Sequence, residues 1–110
     1  MEYNWIKLPL FDSWDYDYTT VIQGTSYTIR LYYSDRTEVW SIDIALEEGT
    51  DLLRGEALTP YKPTAIDRIP SLTGFFWLEP ISLEDNETFL HPSLLFKYFN
   101  LYYIYLPEEA

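Results

Sequence analysis

At 110 residues the chain is long enough for one domain with a sizeable core, and it has no cysteine, which excludes disulfide frameworks, thiol catalysis and cysteine-ligated zinc. Seven Lys and Arg stand against eighteen Asp and Glu, and the formal charge of −11 opposes DNA, RNA and anionic membrane surfaces at long range. Aromatic residues make up 19% of the chain, a share that suits both a pleated core and protein contact surfaces.

The chain opens with Glu2, Asn4, Lys7 and Pro9 interspersed among apolar residues, so it does not begin with the apolar segment of a signal peptide. No run approaches the ~20 apolar residues of a bilayer span. The protein is therefore expected to be made and kept soluble in a cytoplasm. Residues 1–15 read as an extended arm or an edge strand, because Pro9 lacks the N–H that a central strand position requires. Asp12 to Asp17 reads as a turn-prone acidic segment leading into a first strand at about Tyr18 to Ile22.

From Thr20 to Leu58 three alternating runs are separated by turn-like sequences, the pattern of an antiparallel meander. Gln23-Gly24-Thr25 closes a tight hairpin. In the next run Tyr27, Ile29, Leu31 and Tyr33 share one face, and after the turn Ser34 to Thr37 so do Trp40, Ile42, Ile44 and Leu46. Glu47 to Thr50 reads as a third turn and Asp51 to Leu58 as a shorter strand in which Gly55 marks a bulge. Thr59 to Thr73, with three prolines, is expected to be an irregular surface connection. Phe75 to Glu79 is a strand apolar on both faces, to be buried or covered by a partner. After an acidic loop, Ser93 to Tyr98 fits one short helical turn, Leu101 to Leu106 a last strand, and 107–110 a frayed acidic tail. The expected fold is all-β: a single small antiparallel sandwich or barrel built on a meander, with long irregular loops.

The residues offer little chemistry. His91, beside Pro92, is the one histidine and lies in a loop, where a packing or surface role outweighs a catalytic one, and no Ser sits in a Gly-x-Ser-x-Gly elbow. Asp12, Asp15 and Asp17, or Asp85, Asn86 and Glu87, supply oxygens suited to calcium, but neither set has EF-hand spacing and solvated turn acids are the stronger reading. Four dispersed glycines make no phosphate loop. No catalytic, metal or cofactor residue is assigned.

The segment Val21 to Leu31 with its Gly24-x-x-Tyr27 hairpin, the turn carrying Arg36, the Trp40-Ser41-Ile42-Asp43-Ile44 strand, and then Gly49, Leu52-Leu53, Gly55 and Leu58, resembles the baseplate plug proteins of contractile-tailed bacteriophages. Ile6 to Leu10 is similar to the family's start, and Leu101-Tyr102-Tyr103-Ile104 to its final strand. The resemblance implies a small β-domain protein of the tail tip with no enzymatic activity, held in the virion tail baseplate and assembled in the host cytoplasm. It implies partners among the hub, tube and spike proteins, with no direct nucleic acid, membrane or small-molecule substrate. Gly24, Tyr27, Arg36, Trp40, Asp43, Gly49 and Gly55 would then be structural, and partner contacts are expected from the arms and loops, at Trp5, Leu10, Phe11, Tyr61, Lys62 and Arg68. Two other readings remain open at this point. One is an acidic nucleic-acid mimic, which requires carboxylates spaced like phosphates along one face. The other is a carbohydrate-binding module, which requires coplanar exposed aromatics.

Overall fold

The computed structural model describes residues 3–60, 62–64, 69, 72–81 and 91–105. Among them the elements run β1 (Asn4–Leu8), β2 (Asp15–Ile22), β3 (Thr25–Ser34), β4 (Val39–Leu46), β5 (Asp51–Leu58), β6 (Phe75–Pro80), α1 (Pro92–Tyr98) and β7 (Phe99–Tyr105). The meander β2-β3-β4-β5 forms a four-stranded sheet, and β1-β7-β6 forms a three-stranded one, all pairs antiparallel. The sheets share no strand, so the fold is an all-β sandwich rather than a closed barrel.

Alternation decides which residues go inside. Tyr27, Ile29 and Leu31 from β3 and Trp40, Ile42 and Ile44 from β4 are fully buried, as the two phases require. Phe76 and Leu78 from β6 and Leu101 and Tyr103 from β7 bury the facing side of the three-stranded sheet. These residues belong to one core cluster, which Leu95 of the short helix α1 joins.

Three sequence expectations change. β2 starts at Asp15 rather than Tyr18, because Asp15 and Asp17 project to the solvent side while Tyr16 and Tyr18 pack on the core; acidic residues fit a strand whose outer face is wet. The final strand starts at Phe99, directly after α1, and places Phe99 in the core. The 59–73 segment is not purely a surface connection. Thr64 and Phe76 exchange backbone hydrogen bonds of 2.9 Å each, Pro60 bridges Leu78, and Thr64, Ile69 and Leu72 are buried. The segment thus covers the free side of β6.

Asp43 shapes the end of the meander. Between β4 and β5 the register shifts at Ile42/Ile44, leaving Asp43 opposite both Arg54 and Gly55. Gly55 takes φ +68° at this bulge, a conformation that disfavours side chains. Asp43 Oδ1 accepts from the Gly55 N–H at 2.6 Å and from the Tyr32 hydroxyl at 2.9 Å, so one carboxylate satisfies the bulged backbone and ties β3 to β5.

A second polar knot joins the two sheets. Gln23 and Gly24 both have positive φ, 49° and 86°, and form the two-residue turn between β2 and β3. From that turn Gln23 Oε1 accepts from the hydroxyl of the buried Tyr103 at 2.6 Å and from the Thr73 N–H at 3.1 Å. The Tyr103 hydroxyl also accepts from the Gly74 N–H at 2.8 Å. A Cβ at Gly74 would run into the carbonyl oxygen of Ile104, so only glycine allows β6 to start this close to β7.

Tyr103→Phe leaves the buried Gly74 N–H without its acceptor and is expected to lower stability by about 1–3 kcal/mol in urea unfolding. Asp43→Ala is expected to cost about 2 kcal/mol in the same measurement, and Asp43→Asn clearly less, because the amide oxygen still accepts from Gly55. Equal losses for the two Asp43 variants would show that charge, not the acceptor, matters there.

Candidate interaction surface

The two outer faces of the sandwich differ in chemistry. On the three-stranded sheet, central β7 places Ile104 between Trp5 and Phe75, Tyr102 between Lys7 and Trp77, and Asn100 beside Glu79. Alternation turns this set outward because Leu8, Phe76, Leu78, Leu101 and Tyr103 occupy the inner side. Trp5 is 62% exposed and Tyr3 57%. The rings meet edge to face: Trp5 and Tyr102 at 5.3 Å and 83°, Phe75 and Trp77 at 6.2 Å and 73°, Tyr3 and Phe75 at 6.5 Å. Polar groups are few and locally anchored. The Trp77 indole N–H donates to Glu79 Oε1 at 2.9 Å, and the Asn100 side-chain amide to the Tyr102 hydroxyl at 3.2 Å. A shallow depression of about 330 Å³ lies among Trp5, Trp77, Glu79, Tyr102 and Ile104. Among the described residues this is an aromatic surface with Lys7 and Glu79 on opposite edge strands.

The outer face of the four-stranded sheet is polar and internally compensated. Arg30 donates to both oxygens of Asp15 at 2.8 and 2.6 Å, lies 3.6 Å from Asp43 and stacks 4.3 Å over the Tyr32 ring. The hydrogen bonds from Arg30, joined by its charge, hold the Asp15 carboxyl below the usual carboxylate range. Arg54 pairs with Asp51 at 2.8 Å. Three carboxylates on this face are therefore answered by guanidinium groups from within the sheet.

Tyr27 and Trp40 are in the core, Gly24 and Gly49 are in hairpin turns, Gly55 is at the bulge with Asp43, and Arg36 is exposed in the β3–β4 turn. Among the expected contact residues, Trp5 lies on the aromatic face and Lys62 is exposed beside β6. Phe11 is 49% exposed and packs edge-on against Tyr16 at 5.3 Å, whereas Leu10 is half-buried against the core. Tyr61 and Arg68 lie outside the described residues, as do Asp85, Asn86 and Glu87. Sequence reasoning missed Tyr102 and Ile104 as members of the face. The signal for Phe75 and Trp77 was present in the doubly apolar β6, but the pairing of β7 between β1 and β6 is a tertiary fact.

His91 packs edge-on against Trp14 at 5.2 Å and against Tyr33 at 6.0 Å, next to the start of α1. No group of three or more His, Cys, Asp or Glu converges among the described residues, and Asp15 of the acidic segment is already held by Arg30. A depression of about 530 Å³ at the β3–β4 turn is lined by Thr37, Glu38, Val39, Leu58, Thr59, Pro60 and Lys62.

A search of curated proteins found no match. The family model described as the cyanophage baseplate Pam3 plug gp18 matches residues 5–106, from Trp5 on the aromatic face to just beyond β7. The match takes in every strand of both sheets except the first residue of β1, and by it this chain belongs to the phage baseplate plug family.

Proposed function

We propose that the chain is a non-enzymatic structural subunit that joins the tail baseplate in the host cytoplasm and packs, through the aromatic outer face of its three-stranded sheet, against hub, tube or spike proteins. The observation that carries this reading is the row structure of that face, where Trp5, Phe75, Trp77, Tyr102 and Ile104 stand together on three adjacent strands. Trp5 is 62% exposed while Phe75, Trp77 and Tyr102 are half-buried, so these rings form the centre of a contact and supply part of the ~800 Å² that one partner contributes to a standard interface. In a chain carrying −11 charges, such a face resists self-association in solution and is covered on assembly.

The two other readings fit less well. A sugar platform needs rings lying flat and coplanar, whereas these stand at 73–83° to one another. A nucleic-acid mimic needs uncompensated carboxylates, whereas Asp15, Asp43 and Asp51 are met by Arg30 and Arg54.

A Trp5→Ser, Trp77→Ser double variant tests the proposal. It is expected to retain its strand circular dichroism while its amount in purified tails falls by ~30-fold, the effect of losing an interface centre worth about 2 kcal/mol. Glu48→Gln, in the β4–β5 turn, is expected to assemble normally. Full incorporation of the double variant, quantified by mass spectrometry of tails, would overturn the assignment of this face.

A further inference from the structure

The sandwich has four sheet edges, and three of them are guarded. β6 is covered by Pro60, which bridges Leu78, and by Thr64, which exchanges hydrogen bonds with Phe76. β5 is broken by two register shifts. β1 is five residues long, carries the exposed Lys7 and ends at Pro9. Short length, bulges, lysine, proline and covering segments are the devices that stop an edge from pairing with another chain.

β2 has none of them. It pairs with β3 in unbroken register over eight residues, from Asp15↔Tyr32 to Ile22↔Thr25, with no Gly, Pro, Lys or bulge, and among the described residues no strand pairs with its other side. The turn fixes the direction of its backbone groups. In a two-residue hairpin the pair flanking the turn, Ile22 and Thr25, exchanges hydrogen bonds, and so does every second pair beyond it. The Trp14 carbonyl, in the same phase, accepts from the Tyr33 N–H at 2.8 Å. The N–H and C=O groups of Asp15, Asp17, Thr19 and Val21 therefore point away from β3, and all four residues are exposed, Val21 at 60%. The inward side chains Tyr16, Tyr18 and Thr20 are only half-buried, unlike their counterparts on β3 and β4. Exposed Phe11 and Trp14 border the start of the strand.

We propose that the outer edge of β2 is a strand-addition site that takes an extended cationic segment of another protein as a fifth strand of the meander sheet. Backbone pairing supplies the affinity. The flanking side chains supply the choice: a basic residue of the incoming strand meets Asp17, whose neighbour Asp15 is already occupied by Arg30, and apolar residues on its other side cover Tyr16 and Tyr18. A second copy of this chain is the wrong occupant, because it sets Asp15 and Asp17 and a net −11 against their like. The site lies on the other sheet from the aromatic face and does not depend on that face docking.

Hydrogen exchange resolved by residue, with an eight-residue peptide alternating lysine and valine as the probe, tests the site. In the free protein the amides of Asp17, Thr19 and Val21 are expected to exchange fast and those of Tyr18 and Thr20 slowly. Millimolar lysine peptide is expected to slow the first set by about tenfold, with an effect that fades as salt is added. A peptide alternating glutamate and valine is expected to leave them unchanged, and Asp17→Lys to reverse the preference. Thr19→Pro removes an outward donor without breaking a bond to β3 and is expected to abolish the protection in a protein that still folds. Equal protection by both peptides, no protection by either, or concentration-dependent protection of the protein alone would each overturn the proposal.

Discussion

The apolar contact between the two sheets is non-directional, and sheets slid past one another by a residue pair would bury nearly as much. What fixes their relation is the Tyr103 hydroxyl. It donates to Gln23 in the first turn of the meander and accepts from Gly74 where β6 begins, and Gln23 in turn bonds both the backbone and the side chain of Thr73. The Gly74 N–H and the Tyr103 hydroxyl meet in the buried interior, where a shifted pairing would leave the N–H without an acceptor, while the bonds from Gln23 to Thr73 lie at the exposed rim and finish the tie. The close approach at Gly74 has the same consequence, since it admits no side chain. Once the meander turn is tied to β6 and β7, the rows of the three-stranded sheet are oriented with respect to the open edge of β2.

Most of the meander was legible because its physics is local. Tyr27 to Leu31 and Trp40 to Ile44 alternate, and alternation alone selects their buried face. Gly55 announced the bulge, since a glycine inside a strand lacks any other local purpose. The misreadings share one cause, which is that propensity stood in for context. Asp15 and Asp17 look like turn residues until Arg30 faces Asp15 across the sheet and Tyr16 and Tyr18 reach the core between them. Prolines at 60, 63 and 70 suggested a surface connection, yet Thr64 between them finds Phe76 as a backbone partner. The knot itself was not legible, because it joins residues 50 and 80 positions apart that nothing local marks as polar partners. The aromatic face was half legible: β6 declared itself apolar on both sides, but the outward residues of β7 join it only through pairing.

The two outer faces divide the demands on a small acidic subunit. The four-stranded sheet pairs Asp15, Asp43 and Asp51 with Arg30 and Arg54 and carries Asp17 at its outer edge, so its face remains hydrated without becoming a long anionic track. Exposed pairs of this kind add little stability, and their main effect here is to settle side-chain positions around the bulge. The three-stranded sheet concentrates its aromatics instead. Edge-to-face packing of Trp5 on Tyr102 and of Phe75 on Trp77 orders these rings in the free protein, which would lower the entropy lost in the docking we propose.

The residues that carry the likeness to baseplate plugs are almost all spent on the frame. Tyr27 and Trp40 fill the core, Gly24 and Gly49 turn the chain, and Asp43 with Gly55 closes the bulge. Because successive side chains of a strand point to opposite sides, the outward residues share a backbone with this frame but few of its contacts. Exchanging Trp5, Phe75 or Trp77 therefore alters what the outer face can bind while leaving Leu8, Phe76 and Leu78 in place beneath it. The same separation holds at β2, where Asp17 and Thr19 face solvent and Tyr18 and Thr20 are bonded to β3. The frame and the surfaces we propose for neighbours are thus written in alternate positions of the same strands. A family pattern made of frame residues can identify the fold and its place in a tail while saying nothing about which subunit lies against it.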